Sequence, residues 1–328
     1  MSFLLASYRW IQSQRQELPY PTQDLTGKTI IVTGANSGLG REAARHFARL
    51  NARVILACRN RSKGEAALAD IRGSLTGTGT PLLEVWDLDL ESHQSAEEFL
   101  ARAERELDRV DVLVNNASVA MGKWEVVEGR EATVTVNVVS TFLLTVGLLG
   151  LLGKTAARFN ADTRVVVVSS EGAAAAKFKE RNEANIFNAL QNEAYFQDRY
   201  FTSKLLQLIC ARKLASTLPP ERGIIVTSLS PGLCNTDLFR NAPWFARWIL
   251  GAMLSLVGRS AEMGSRTLVS GALAGSEMHG EYMRHCGRAE YPGVVEGEEG
   301  EALMGRVWGE LLGVLEEVRP GVTKGLTG

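Results

Sequence analysis

The chain has 328 residues, 45% of them hydrophobic, enough to enclose a sizeable core in one large domain or two small ones. Its formal net charge of -1 gives no reason to expect a nucleic-acid partner or an acidic solvating tail. The cysteines Cys58, Cys210, Cys234 and Cys286 form no CxxC pair and no cluster with His46, His93, His279 or His285. That pattern argues against a disulfide framework or a metal site and fits a reducing compartment, the cytoplasm.

Residues 1–25 read as an arm. Its apolar run, Phe3 to Ala6, is too short for a signal-peptide core. With Tyr8, Arg9, Trp10 and Ile11 behind it, the arm fits a short amphipathic segment packed on the domain, or one in peripheral contact with a membrane. No stretch reaches the roughly 18 uncharged apolar residues that a membrane span needs, so a soluble protein is expected.

From residue 26 on, short β-rich runs alternate with longer helical patterns. Strands are expected at 28–33, 53–58, 82–88, 110–114, 164–169 and 224–230. Several are continuous apolar runs, as in parallel strands covered by helices on both faces. Helical spacing occupies 41–50, 63–72, 96–107, 134–157 and 199–217. This alternation predicts an α/β fold, a doubly wound parallel sheet with right-handed crossovers, as one domain over 26–328. Three segments exceed the minimal sheet. One is the polar insertion 171–198. The second, 238–258, carries an apolar band of Trp244, Phe245, Trp248, Ile249, Leu250, Met253 and Leu256, interrupted by Arg247. The third is a tail of polar, Gly-rich turns after Gly280, with an exposed loop at 293–300 and a helix at 302–318.

Two motifs carry chemistry. Gly34, Ser37, Gly38, Leu39 and Gly40 lie in the turn between the strand ending at Thr33 and the helix that follows. Residues without Cβ let the backbone approach a phosphate, and the helix N-terminus offers it free N–H groups. The turn therefore reads as the pyrophosphate cradle of a dinucleotide. The second strand ends without the carboxylate that an NAD site uses on the ribose. Instead it has Arg59, followed by Lys63, which suits the 2′-phosphate of NADP(H). The plainer reading of Arg59 is a solvent-exposed loop residue. Asp89, closing the third strand, is placed on the adenine amine, with Asp87 as a capping or surface residue. Asn116 and Ala117, closing the fourth, are compact enough to let the cofactor lie against the backbone. The second motif is Tyr200 and Lys204, a phenol and an ammonium one helical turn apart. Tyr195 is a decoy, because its fourth successor is Arg199, whose charge cannot be lent or withdrawn.

These residues resemble the short-chain dehydrogenase/reductase superfamily over about 23–267. Thr33 to Gly40 matches Thr-Gly-x-x-x-Gly-x-Gly, Asn115 to Ala117 matches Asn-Asn-Ala, and Tyr200 to Lys204 matches Tyr-x-x-x-Lys. Pro231, Gly232 and Thr236 match Pro-Gly-x-x-x-Thr. The stretch from Leu56 to Asn60, with Lys63, is similar to the branch holding retinol dehydrogenase-like enzymes and many fungal reductases. The resemblance implies a Rossmann-type fold and a catalytic set. Asn137 would anchor a proton-relay water through a local helix distortion, Ser170 (or Ser169) would hold the substrate carbonyl, and Tyr200 would be the acid/base with Lys204 its partner. Pro231, Gly232 and Thr236 would contact the nicotinamide carboxamide. Ser118 departs from the family's glycine, and the distance from Ser170 to Tyr200 exceeds that of minimal members.

The implied activity is NADP(H)-dependent interconversion of a bulky apolar ketone or aldehyde and its alcohol, in specialised metabolism of polyketide or terpenoid type. The band at 238–258 would be the substrate lid, or a helix packed on the sheet or on a partner subunit. An epimerase or lyase using Tyr200 as base, or a non-catalytic nucleotide sensor, are the rival readings. The family's dimer contact would use the helices at 134–157 and 199–217, and the extra segments leave monomer or homo-oligomer open.

Overall fold

The structure, a computed structural model, describes residues 2–75, 81–236, 251 and 254–326, with side chains from Tyr8 onward. A helix, α1 (Ser2–Arg15), precedes strand β1 (Thr29–Thr33). Then come α2 (Gly38–Arg49), β2 (Arg53–Cys58), α3 (Arg61–Ser74), β3 (Leu83–Asp87), α4 (His93–Glu106) and β4 (Val112–Asn115). A small hairpin, β5 (Val126–Val127) and β6 (Arg130–Glu131), leads into the long helix α5 (Ala132–Phe159). Strand β7 (Thr163–Val168), helix α6 (Arg199–Thr217), strand β8 (Ile224–Ser230) and helix α7 (Ala261–Ala272) follow. Strands β9 (Tyr282–Arg284) and β10 (Gly287–Ala289) and helix α8 (Gly297–Val318) complete the order.

Among the described residues the main sheet runs β10-β9-β8-β7-β4-β1-β2-β3, parallel except for the β9–β10 pair. The apolar runs are buried on both sides, because successive side chains serve opposite layers. Ile31, Ile55, Leu113, Val165 and Val167 face a core formed with α4, α5, α6 and α8. Their neighbours Ile30, Val32, Val54, Leu56, Val114 and Val166 face a second core with α2, α3 and α7. The carboxyl ends of the strands open on one edge, where doubly wound sheets bind ligands.

Several expectations need correction. Residues 132–159 are long and apolar enough to cross a membrane by length and composition, contrary to the expectation that no stretch is. The most apolar window of this helix is 83% buried inside the protein, as its core helix. The loop expected at 293–300 is half helix: α8 starts at Gly297, and Gly300 is buried where a Cβ would stand 2.4 Å from the Val295 carbonyl carbon. The tail also contributes β9 and β10, strands of three residues each and too short to show a period. Helix α7, started by the Ser260 hydroxyl accepting from the Met263 N–H at 3.0 Å, is likewise not among the expected helices. Trp308 of α8 packs edge-on against Phe142 of α5 at 6.2 Å, so the chain's own tail covers part of the helices expected at a dimer contact. The band at 238–258 lies outside the described residues except for Gly251 and a turn of helix at 254–257, where Leu256 is exposed.

Candidate active site

At the end of β1 the backbone enters the left-handed region at Gly34 (φ 66°) and again at Gly38 (φ 54°), where a side chain would be strained. A Cβ on Gly34 would stand 3.0 Å from Ala117 Cα, and one on Gly40 would stand 2.4 Å from the Gly34 oxygen. The glycines thus let the turn, α2 and the end of β4 close on one another. Thr33 fastens them: its Oγ1 accepts from the Asn116 and Ala117 N–H groups at 3.0 and 2.9 Å, and its carbonyl accepts from Asn116 Nδ2 at 2.8 Å. Ser37, at the N-cap of α2, makes no side-chain cap, so the first N–H groups of the helix face the cleft without it.

A cavity of about 920 Å³ runs from this turn to Tyr200. Gly34, Ser37, Gly38, Leu39, Arg59, Lys63, Asp89, Asn116, Ala117, Ser170, Tyr200, Lys204, Pro231, Gly232 and Thr236 all line it. Gly40 and Asn137 stand behind the wall and shape it from there. Arg59 is half exposed at the rim, with Nη1 2.5 Å from Glu91 Oε1. Asp89 is half-buried and accepts from the Glu91 N–H at 3.0 Å, whereas Asp87 is exposed and pairs with Arg61 at 2.8 Å. Thr236 borders the turn, 3.4 Å from where a Cβ on Gly38 would be. The glycine cradle, the exposed amides and the cation at the rim fit a dinucleotide.

At the other end, the Tyr200 phenol hydrogen-bonds Ser170. Burial pushes the phenol up to about 12, with the Ser170 contact pulling the other way. Ser169 also lines the cavity, but its hydroxyl is engaged with the Lys204 carbonyl, to which it donates at 2.7 Å. Lys204 is buried with its Nζ 5.9 Å from the centre of the Tyr200 ring. The ammonium donates to the Val168 carbonyl at 3.0 Å and to Gln207 Oε1 at 2.9 Å. Neither acceptor is charged, and burial lowers Lys204 from its ordinary 10.5 to about 7.

Helix α5 is distorted at the expected place, with a π-turn over Thr135–Ser140 centred near Asn137. The Asn137 Oδ1 accepts from Ser118 Oγ at 3.0 Å and the Val119 N–H at 2.9 Å, and its Nδ2 donates to Ser203 Oγ at 3.0 Å. Ser118 therefore serves the Asn137 side chain. The Asn137 carbonyl accepts from Gln207 Nε2 at 2.8 Å, so a side chain links it to Lys204. Gln207 carries no motif in the sequence, although its spacing of three from Lys204 puts both on one helix face.

The insertion at 171–198 forms short 3-10 and helical turns beneath α6. Arg199 pins it: fully buried, its Nη1 lies 2.6 Å from Glu180 and its Nε 3.7 Å from Glu131, both also buried. Trp10, Glu171 and Arg284 also line the cavity and escape sequence reasoning, since nothing local in the sequence joins residues so far apart.

Residues 28–244 match the family model described as short chain dehydrogenase. The short chain dehydrogenase atnD of Emericella nidulans is 45% identical over 287 residues, covering 84% of this chain and 90% of its own. The short chain dehydrogenase/reductase dmxR8 of Cryptosporiopsis sp. is 38% identical over 316 residues, covering 94% and 96%. Two solved structures share the fold. The 3-ketoacyl-(acyl-carrier-protein) reductase of Brucella melitensis, complexed with NADH, has a TM-score of 0.59 over 79% of this chain and 97% of its own, at 21% identity. RhlG of Pseudomonas aeruginosa, in an NADP complex, has a TM-score of 0.60 over 81% and 97%, at 22% identity.

Proposed function

Because the chain belongs to the short-chain dehydrogenase/reductase family, whose members are oxidoreductases using a nicotinamide cofactor, we propose that it reduces a bulky apolar ketone or aldehyde with NADPH. The observation that carries this reading is the Tyr200 phenol, hydrogen-bonded to Ser170 in the same cavity as the glycine turn. The cofactor supplies the hydride when bound. Tyr200, neutral at physiological pH, gives its proton to the substrate oxygen as that oxygen gains charge. The Ser170 hydroxyl donates to the same oxygen and orients it. Lys204, held from behind by Val168 and Gln207, offers its charge to the phenolate left on Tyr200 and keeps the ring in place. Asn137 acts through Ser118, Val119 and Ser203, bracing the floor of the cleft against α6.

The 2′-phosphate of NADP is assigned to Arg59 and Lys63, with Arg59 leaving Glu91 for the stronger anion. Val119, Phe201 and Leu233 give the substrate end its apolar walls. The four free thiols favour a cytoplasmic location. A place in specialised metabolism predicts that a deletion strain loses one metabolite, and a complete, unchanged profile counts against it.

The test is NADPH oxidation by the purified protein on bulky ketones and aldehydes, followed by the cofactor's near-ultraviolet absorbance. Turnover is expected to fall roughly 10³-fold in Tyr200→Phe. In Arg59→Asp the preference for NADPH over NADH should drop about tenfold or more, the value of one charge-assisted hydrogen bond. Tight NADPH binding with no turnover of any carbonyl would overturn the reductase reading.

A further inference from the structure

The family model begins at residue 28, yet the last turns of α1 reach into the active site. Trp10 lines the cavity, and its indole N–H donates to Glu171 Oε2 at 2.6 Å. The other oxygen of that carboxylate accepts from Arg284 Nε and Nη2 at 3.1 and 2.9 Å. An indole tied to a carboxylate that is itself held by a guanidinium fork has a fixed orientation. One turn further on, Gln14 is 2% exposed, and its Oε1 accepts from the Leu233 N–H at 3.0 Å. Arg259, 4% exposed, closes the clasp. Its Nη2 donates to the Ser13 carbonyl at 2.6 Å, its Nε to the Gln14 carbonyl at 3.1 Å and its Nη1 to the Pro231 carbonyl at 3.2 Å.

A cation on the last carbonyls of a helix is favoured by their partial charge. A guanidinium this deeply buried also needs every acceptor it can find. The loop is shaped to admit the arm: Gly232 has φ 81°, and a Cβ there would stand 2.9 Å from Gln14 Oε1 and 3.0 Å from Arg259 Nη1. The contacts join residues 161, 219 and 245 apart in the chain; the first lands on the cavity wall, the second on the Pro231–Leu233 loop, and the third on Arg259, which itself donates to the Pro231 carbonyl.

We propose that the N-terminal helix is part of the active site. Gln14 and Arg259 are positioning residues that clasp it to the loop at 231–233, and Trp10 is a specificity-determining wall against which a planar, conjugated part of the substrate packs. The substrate half of this proposal rests on the reductase reading above; the clasp does not. An aromatic face in a pocket favours a flat π-system over a saturated one.

The test uses full-length variants and leaves the buried Arg259 intact. Trp10→Ala should raise KM for a bulky conjugated ketone about tenfold while kcat changes far less, and Trp10→Phe should recover most of the loss. Gln14→Ala should raise the NADPH dissociation constant about fivefold in a fluorescence titration without substrate, the value of one hydrogen bond that holds the loop. An unchanged KM in Trp10→Ala with a lowered melting temperature overturns the wall, and unchanged NADPH binding in Gln14→Ala overturns the clasp. If Gln14→Ala weakens NADPH while the parent protein reduces no carbonyl, the clasp stands and the reductase reading falls.

Discussion

Arg199 and Lys204 are both buried cations on α6, and their surroundings differ in one respect that decides what each does. Arg199 meets two buried carboxylates, Glu180 and Glu131, and the carbonyl of Asn192 at 3.3 Å. Its charge faces opposite charge and is permanent, and it joins the inserted segment and the start of α5 to α6. Among the described residues Lys204 donates to neutral oxygens, those of Val168 and Gln207. Its ammonium is desolvated without compensation, so its proton is held loosely and its charge can answer changes at Tyr200. Burial of a charge is therefore common to structure and chemistry; the partners separate the two.

Replacing each cation by methionine is the strongest way to break this contrast. Lys204→Met should lose on the order of 10²–10³ in turnover, the range for a disabled acid–base site, with no loss of unfolding free energy, since it removes a buried ammonium whose hydrogen-bond acceptors are neutral. Arg199→Met should do the reverse. It strands the buried Glu180 carboxylate, takes the cation from beside Glu131, and should cost about 3–5 kcal/mol in denaturant unfolding, with most of the turnover per folded molecule retained. Equal stability losses in the two variants would refute the distinction.

A smaller effect sharpens it. Lys204 has a folded value of about 7, below its ordinary 10.5, so between these limits the unfolded chain binds a proton that the folded protein does not. The stability of the cofactor-free protein, taken relative to Lys204→Met, should therefore rise as the pH climbs from 7 towards 10. The range stops there because Tyr200, pushed up to about 12, acts in the opposite sense above its ordinary 10.0. A flat difference across this window would mean that Lys204 keeps its proton in the fold.

Much of the fold and of the site is legible in the order of the amino acids. Strands β2 and β8 and helix α6 fall on the expected bounds, because a continuous apolar run and a helical period are local signals. The glycine turn is legible for the same reason: left-handed backbone and close approach leave few residue choices. Ser170 and Ser169 are harder to separate. Successive residues at a strand end point to opposite faces, and the sequence does not say which face is the cleft. In the fold Ser170 meets Tyr200 and Ser169 meets the α6 backbone.

What the sequence determined by itself is the six strands β1, β2, β3, β4, β7 and β8, the helices α2 to α6, the cradle between Thr33 and Gly40 and the Tyr200–Lys204 pair, all set by interactions within a few residues. Only the tertiary structure brought Trp10 to Glu171, Arg259 to Ser13 and Gln207 to the Asn137 carbonyl, across 161, 246 and 70 positions. Such contacts follow from how packed layers meet in space, and a single chain carries no periodicity that encodes them.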